Sequence, residues 1–114
     1  MFTISSTEEY AYVNYLQVKE GSIIYSKTVE LKKKLDESDE DLLSFSAWEL
    51  REQRNSDNKE IFTNIPIVVP ENNIENVVPK IGDKKKLLAL SIKNALEMKK
   101  EKEILREGKK SRQR

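Results

Sequence analysis

Four lysines crowd around one predicted turn and are the side chains best suited to bind a ligand. Lys80 precedes a Gly-Asp pair, and Lys84, Lys85 and Lys86 follow in the first turn of a predicted helix. Because a helix N-terminus already carries about half a positive elementary charge, each exposed cation there costs roughly 0.3–1 kcal/mol. Cations in that position are typical of anion sites, and phosphate is the anion most often bound. The cluster is therefore a candidate contact for a nucleic-acid backbone.

The same lysines have a second interpretation that needs no ligand. A rotation of about 100° per residue fans Lys84, Lys85 and Lys86 around the helix axis, so they do not form one stripe. Asp83, at the start of the helix, can relieve part of the repulsion as a cap. The sequence leaves a solvated first turn and a phosphate contact equally open.

Carboxylates are the only side chains of this chain that could carry catalysis. Their densest group lies between residues 36 and 41 and comprises Asp36, Glu37, Asp39, Glu40 and Asp41. A two-metal nuclease needs carboxylates that converge from separate elements on ions about 4 Å apart. These five are adjacent instead, where Ser38 and Asp41 have the spacing of a capping box. We therefore predict that they cap a helix, and we predict no catalytic residue and no metal site.

Composition excludes several classes of protein. The 114 residues include no cysteine and no histidine, so the chain cannot build a disulfide framework, a Cys/His zinc site or a Ser-His-Asp unit. No apolar run approaches the roughly 20 residues of a membrane span, and the first residues lack the pattern of a signal peptide. We expect one cytoplasmic domain that does not contact a membrane.

Charge is divided unevenly along the chain. Residues 1–60 hold 8 basic and 13 acidic side chains, whereas residues 61–114 hold 13 basic and 7 acidic ones. The two parts therefore carry −5 and +6, although the whole chain carries only +1. This division indicates either a polar surface with a basic tail or a basic half that faces nucleic acid or an acidic partner.

Aromatic side chains are concentrated in the predicted strands and the first helix. They are Tyr10, Tyr12, Tyr15, Tyr25 and Trp48. Exposed tyrosines on a sheet can stack on bases, but aromatic residues in such elements more often belong to the core, and we predict the core. Because Tyr12 and Tyr15 lie on opposite faces of their strand, one of them should be exposed or contact a helix.

Hydrophobic periodicity predicts a small α/β (α+β) fold with the order β-β-α-β-β-α. Strands are expected at residues 10–18, 23–31, 59–65 and 74–79, and helices at about residues 39–54 and 82–107. Gly21 should turn the first two strands into a hairpin with one buried face. Residues 55–58 and 71–73 are expected to form a loop and a turn. The helical crossover predicts a parallel, right-handed connection to the third strand, and hence a small mixed β-sheet covered by helices.

An apolar stripe runs along each predicted helix. It comprises Leu43, Ala47 and Leu50 in the first helix and Leu88, Ile92 and Ala95 in the second. Beyond residue 97 the stripe fades, and twelve of the last eighteen residues are charged. We therefore divide the chain into an α/β domain at residues 1–96 and a charged helical extension or disordered tail at residues 97–114.

Residues 77–95, VVPKIGDKKKLLALSIKNA, resemble a stretch of the UvrC family, the C subunit of the excinuclease ABC. In that family a strand ending in Pro-x-x-Gly-Asp/Glu-Lys/Arg leads into a Leu-Leu-x-Leu-x-x-x-Asn-Ala helix. The matching residues here are Pro79, Gly82, Asp83, Lys84, Leu87, Leu88, Leu90, Asn94 and Ala95. Residues 11–43 are similar to the hairpin and first helix of the family, so the resemblance covers about residues 10–95.

The resemblance implies a fragment of a DNA-repair endonuclease. UvrC proteins incise damaged double-stranded DNA on both sides of a lesion in nucleotide excision repair, and they act with UvrA and UvrB. The resemblance also implies a role in the response to DNA damage, including the SOS response. The matched part follows the UvrB-contacting segment and leads into the C-terminal RNase H-like nuclease. The catalytic aspartates of the family lie downstream, and no residue of this chain matches one.

On that resemblance we expect a non-catalytic segment, resembling part of an RNase H-like fold, that supports the downstream nuclease. Its partners would be damaged DNA, UvrA, UvrB and the remainder of UvrC. The backbone of the DNA would be contacted by Lys80, Lys84, Lys85 and Lys86. The parent nuclease is expected to use a divalent metal such as Mg or Mn, whereas this fragment needs no cofactor. The alternative is a protein-interaction or scaffold module with no nucleic-acid role, docking through its hairpin edge or first helix.

Overall fold

The computed structural model describes residues 1–34, 37–53, 59–69 and 74–112, with the backbone alone for residues 107–112. In these ranges the elements are β1 (Phe2–Ser6), β2 (Tyr10–Lys19), β3 (Ser22–Lys32), α1 (Asp39–Gln53), β4 (Glu60–Phe62), β5 (Glu75–Val77) and α2 (Gly82–Arg112). The predicted α/β class is confirmed. The predicted order is corrected by one additional strand, β1, at the start. The loop predicted at residues 55–58, the turn at residues 71–73 and Asp36 lie outside the described residues.

Strand β1 gives only a weak signal in the sequence, because it is five residues long and mostly polar. Phe2 and Ile4 are buried in the apolar core on one side of the strand. Thr3 is equally buried on the other side, where its hydroxyl lies 2.7 Å from the Ser91 hydroxyl of α2. Contacts with distant parts of the chain, rather than local alternation, therefore make these residues a strand.

The strands form an antiparallel sheet in the order β1-β2-β3 and a parallel pair of β4 with β5. A parallel bridge between Phe2 and Thr63 joins the two groups. Asn64 continues the junction, since its side-chain amide donates to the Ile4 carbonyl (2.9 Å) and accepts from the Ile4 amide (3.0 Å). The strands therefore follow one another as β3-β2-β1-β4-β5. The parallel bridge gives β4 the direction of β1, and β1 and β3 also run the same way. Strands β3 and β4 are therefore parallel, and the predicted parallel connection across α1 is confirmed.

Different helices cover the two faces of the sheet. The apolar core lies on the α1 face and comprises Phe2, Ile4, Ala11, Val13, Tyr15, Leu42, Leu43, Ala47, Leu50 and Ile61. Helix α2 covers the opposite face, where Tyr12, Leu16 and Leu88 are buried. Strand β2 is thus buried on both faces, which corrects the prediction of a hairpin with one buried side. The hairpin residues alone could not indicate this, because α2 begins 50 positions after the end of β3.

The predicted start of helix α1 is confirmed. The Ser38 hydroxyl accepts a hydrogen bond from the Asp41 amide at 3.1 Å, as expected of a helix cap. Asp39, in the first turn, accepts hydrogen bonds of 2.8 and 3.0 Å from the Ser6 hydroxyl, and its carboxylate lies 3.8 Å from the Lys33 ammonium. Asp39 therefore fixes this helix to the end of β1.

The turn between β2 and β3 holds two residues at positive φ, Glu20 at 51° and Gly21 at 79°. This backbone is that of a type I′ turn, which matches the twist of a hairpin. A register shift between Gln17 and Val18 marks a bulge just before it. The predicted turn is confirmed, and Gly21 takes the conformation for which glycine is favoured.

Helix α2 begins at Gly82, within the Gly-Asp pair predicted to turn the chain and cap it, and continues to Arg112 rather than ending near residue 107. Leu88 and Ala95 of the predicted stripe are buried, and Ile92 is half-buried. The division of the chain at residue 96 stays a prediction. The helix beyond that point is nevertheless attached to the sheet, because Arg106 contacts strands β2 and β3.

Candidate nucleic-acid interface

All four lysines of the predicted cluster are exposed at or near the start of α2. Lys80 and Lys84 line one shallow groove together with Phe62 of β4. Lys85 and Lys86 line neither this groove nor the cleft described next. An α-helix rotates by about 100° per residue, so these two side chains leave the axis in other directions than Lys84 does. The structure thus brings two of the four predicted residues together and separates the other two from them.

A cleft of about 400 Å³ opens where the hairpin turn, the end of α1 and the start of α2 meet. Lys84 lies on its wall with its ammonium 4.3 Å from the centre of the Phe62 ring. Arg51 lies on the wall contributed by α1, is only 8% exposed, and places its guanidinium 5.6 Å from the Trp48 ring centre. We call this the Arg51–Lys84 cleft.

The two cations of the cleft act on a common point. Burial, followed by the positive charges of Arg51 and Lys84, lowers the pKa of the Met1 amine to about 5. That amine also lies in the cleft and donates to the Leu16 carbonyl at 3.0 Å. Sequence reasoning missed Arg51, since a basic residue in the last turn of a helix is ordinarily explained by the helix dipole.

Neutral side chains fill the centre of the sheet under α2. Ser91 donates to the Asn14 carboxamide oxygen at 2.7 Å and shares a hydrogen bond with the Thr3 hydroxyl. The Asn14 amide donates in turn to the Thr28 hydroxyl at 2.8 Å. We call Thr3, Asn14, Thr28 and Ser91 the central network. Within the described residues, every buried side-chain nitrogen or oxygen has a hydrogen-bond partner.

Carboxylates do not gather at any comparable point of the described chain. No group of three or more acidic side chains within the described ranges is placed to hold a metal ion. Glu37 caps its own turn, where it accepts from the Lys34 amide at 2.6 Å, and Asp39 is engaged by Ser6. In the described part of the chain, no helix is both long enough and apolar enough to cross a membrane.

The far end of α2 is attached to the sheet by one charged group. Arg106 donates to both oxygens of Glu30 and to the Tyr12 hydroxyl, which itself donates to Glu30 at 2.8 Å. Burial by itself raises the pKa of the Glu30 carboxyl, but the hydrogen bonds from Tyr12 and Arg106 and the nearby positive charges bring it below its ordinary value. Burial raises the pKa of Tyr12.

The aromatic side chains of the strands and α1 are engaged in contacts within the protein. Tyr12 and Tyr15 are buried on opposite faces of β2, so the predicted helix contact belongs to Tyr12 under α2. Tyr25 and Trp48 pack against the apolar core. The centre of the Tyr10 ring lies 4.0 Å from the guanidinium of Arg106. The prediction of core roles is therefore favoured over a base-stacking platform.

Comparison with known proteins adds the decisive observation. A family model described as the UvrC Ribonuclease H-like domain matches residues 1–102. The chain belongs to this family. The resemblance inferred from the sequence is thus confirmed, and it is sharpened in one respect. The Ribonuclease H-like description applies to these residues themselves, and not only to a region into which they lead.

Curated relatives of this UvrC-family chain carry the name UvrABC system protein C. The one from Flavobacterium johnsoniae is 54% identical over 95 residues, which are 83% of this chain and 16% of the relative. The relative from Christiangramia forsetii is 46% identical over the same shares of the two chains, and the one from Porphyromonas gingivalis is 35% identical over 106 residues, 87% of this chain and 17% of that protein. This chain thus spans about one sixth of their length. No solved structure matches it.

Proposed function

We propose that this UvrC-family chain is a non-catalytic RNase H-like segment of a UvrC protein, which supports the endonuclease of that protein in nucleotide excision repair. The observation that carries the proposal is the neutral central network at the junction of β1, β2 and α2. The names of the relatives supply the system in which the segment would act. On this proposal its partners are the remainder of UvrC, UvrB and UvrA, and damaged double-stranded DNA.

The central network supports a structural rather than a catalytic role for the sheet. A metal-dependent nuclease places carboxylates from separate elements around its ions. Here the elements converge on two hydroxyls and a carboxamide, Thr3, Ser91 and Asn14, which satisfy one another. A carboxylate added among them would be buried without a counter-ion, at a cost of several kcal/mol. The proposal therefore assigns no cofactor to this segment and leaves Mg²⁺ or Mn²⁺ to the rest of the protein.

A contact with the DNA backbone is the second part of the proposal. Lys80, Lys84, Lys85 and Lys86 are exposed around the start of a helix whose first amide groups have no partner within the helix. The basic half of the chain, with a net charge of +6, contains all four. Such contacts would position DNA without reading its sequence.

Cleavage assays test the non-catalytic role. The purified chain is incubated with supercoiled plasmid and with a damaged duplex, in Mg²⁺ and separately in Mn²⁺. We expect no nicking above the rate of the metal alone, while a full-length UvrC with its partners cuts the damaged duplex. Metal-dependent nicking that copurifies with the chain would refute the non-catalytic assignment.

Salt dependence tests the DNA contact. The logarithm of the association constant for a labelled duplex should fall linearly with the logarithm of the salt concentration between 50 and 200 mM. The slope should be roughly −0.9 for each phosphate contacted. Replacing Lys80, Lys85 and Lys86 together by glutamine should reduce that slope. A matched variant changes Lys99 and Lys100, further along the same helix, and should leave the slope unchanged.

One observation favours a second function, a scaffold without nucleic-acid contact. Strand β3 is the outer strand of its sheet, and Ile23 and Ile24 beside the turn are 41% and 53% exposed. An exposed strand edge with apolar residues can add a strand from another domain. If the duplex does not bind at 50 mM salt while Ile24→Lys weakens association with the rest of UvrC, the scaffold function replaces the DNA contact.

A further inference from the structure

Arg51 is the most buried charged side chain of the Arg51–Lys84 cleft. Arginine is almost never fully buried unless an anion accompanies it, because removing its charge from water is costly. Arg51 is only 8% exposed. Among the residues that the structure describes, no carboxylate forms an ion pair with Arg51, and its guanidinium lies 5.6 Å from the centre of the Trp48 ring. Its planar fork of N–H donors fits phosphate oxygens better than any other side chain does.

A second cation reaches the same cleft from another element. Lys84 stands in the first turn of α2, above the Phe62 ring, and lines the cleft with Arg51. Burial lowers the pKa of the Met1 amine most, and the charges of Arg51 and Lys84 both lower it further, so the two fields overlap inside the cleft. The N-terminus of α2 adds its partial positive charge beside Lys84. Two cations held by different elements therefore face one small volume.

The remaining charges of the cleft lie on exposed residues. Lys59 adds a positive charge, while Glu20 and Glu60 add negative ones, and all three are exposed. Water screens these exposed carboxylates more than it screens the charge of the largely buried Arg51 residue. The interior of the cleft is thus more positive than its rim. The cleft measures about 400 Å³, within the range of small-ligand sites.

We propose that the Arg51–Lys84 cleft binds a phosphate group, held by the guanidinium of Arg51 and the ammonium of Lys84, with room for the one nucleotide that carries it. The proposal deepens the DNA contact proposed above and rests on it where the phosphate belongs to a DNA strand. The same chemistry would also accept a free nucleotide. The ring of Phe62 and the side chain of Leu87 give the apolar part of that nucleotide a wall to lie against.

The test is a titration of the ¹⁵N-labelled 114-residue chain, followed by NMR, with three probes. They are inorganic phosphate, thymidine 5′-monophosphate and a single-stranded hexathymidylate. We expect amide shifts that cluster around the cleft, at residues such as Gln17, Gly21 and Phe62. Lys84→Gln should weaken the nucleotide roughly tenfold, because it removes one charge-assisted contact. Lys93→Gln, the matched control at an exposed position of the same helix that lines neither the cleft nor the groove, should change the affinity less than twofold.

A variant that is expected to strengthen binding excludes misfolding as the explanation of weaker binding. Glu60→Gln removes an exposed carboxylate from the cleft and should strengthen the nucleotide severalfold. Arg51→Gln should abolish cleft shifts, but Lys84→Gln and Glu60→Gln decide the matter because both positions are exposed and tolerate change.

The three probes separate this proposal from the DNA contact. Cleft shifts with the mononucleotide and the hexamer support both, whereas shifts with the mononucleotide alone support the cleft and count against DNA. A hexamer or duplex that shifts only Lys80, Lys85 and Lys86 overturns the cleft proposal and leaves the DNA contact standing. Absence of cleft shifts with every probe at millimolar concentration overturns it as well.

Discussion

Arg106 and Glu30 are joined by two hydrogen bonds of 3.1 and 3.0 Å, although 76 residues separate them in the chain. One lies near the end of helix α2 and the other on strand β3, so the pair fastens the charged part of the helix to the sheet. The guanidinium also covers the Tyr10 ring at 4.0 Å. A stretch with few apolar residues is therefore held by one polar anchor.

The first prediction concerns this anchor. Arg106→Gln removes the positive charge and the two hydrogen bonds that Nη2 donates to the Glu30 carboxylate. The last turns of α2 should therefore open more often. Hydrogen exchange of backbone amides between residues 98 and 110 should accelerate, while amides of β2 keep their protection. Lys100→Gln, an exposed change on the same helix, serves as the control. Equal exchange in both variants would show that the anchor does not hold the helix.

The second prediction concerns pH. The pKa of Glu30 lies below its ordinary value of 4.5 in the folded chain, because hydrogen bonds from Tyr12 and Arg106 outweigh the effect of burial. Its charged form therefore stabilises the fold fully above pH 4.5, and this contribution is lost as pH falls through the lowered pKa. Urea midpoints measured from pH 7 to pH 3 should fall less steeply in Glu30→Gln than in the parent chain. A carboxyl titration by NMR gives the pKa directly, and a value above 4.5 would contradict the prediction.

The third prediction concerns the central network. Ser91→Ala leaves the Asn14 carboxamide oxygen and the Thr3 hydroxyl short of a partner in a fully buried place. We expect the free energy of unfolding to fall by about 1–3 kcal/mol. Ser22→Ala, at an exposed position, should change it by less than about 0.5 kcal/mol. Urea unfolding measures both, and equal stability of the two variants would mean that the network contributes nothing.

The fourth prediction concerns the hairpin turn. Glu20 holds a φ of 51°, which asparagine adopts more readily, so Glu20→Asn should stabilise the chain by about 0.5–1 kcal/mol. Gly21→Ala, at a φ of 79°, should destabilise it by about 1–2 kcal/mol. Thermal unfolding gives both changes. Opposite signs for the two variants are required, since both arise from the same left-handed backbone.

Local patterns in the sequence sufficed wherever neighbouring residues make the structure. The cap of α1 at Ser38, the turn at Gly21 and the start of α2 at Gly82 each depend on residues within one turn of chain. The apolar stripe of α1, with Leu43 and Leu50, is equally local because helical periodicity alone fixes it. The family could be inferred as well, since its motif around the lysines is contiguous.

Tertiary structure alone decided the rest. Thr3 lies 88 residues from Ser91, yet that contact joins strand β1 to helix α2, and Arg106 reaches Glu30 across 76 residues. The lysine cluster illustrates the same limit, because the sequence showed its charge but not that Lys84 faces Arg51 while Lys85 turns away. Contacts between distant residues follow from how helices and strands pack, and no local spacing carries that information.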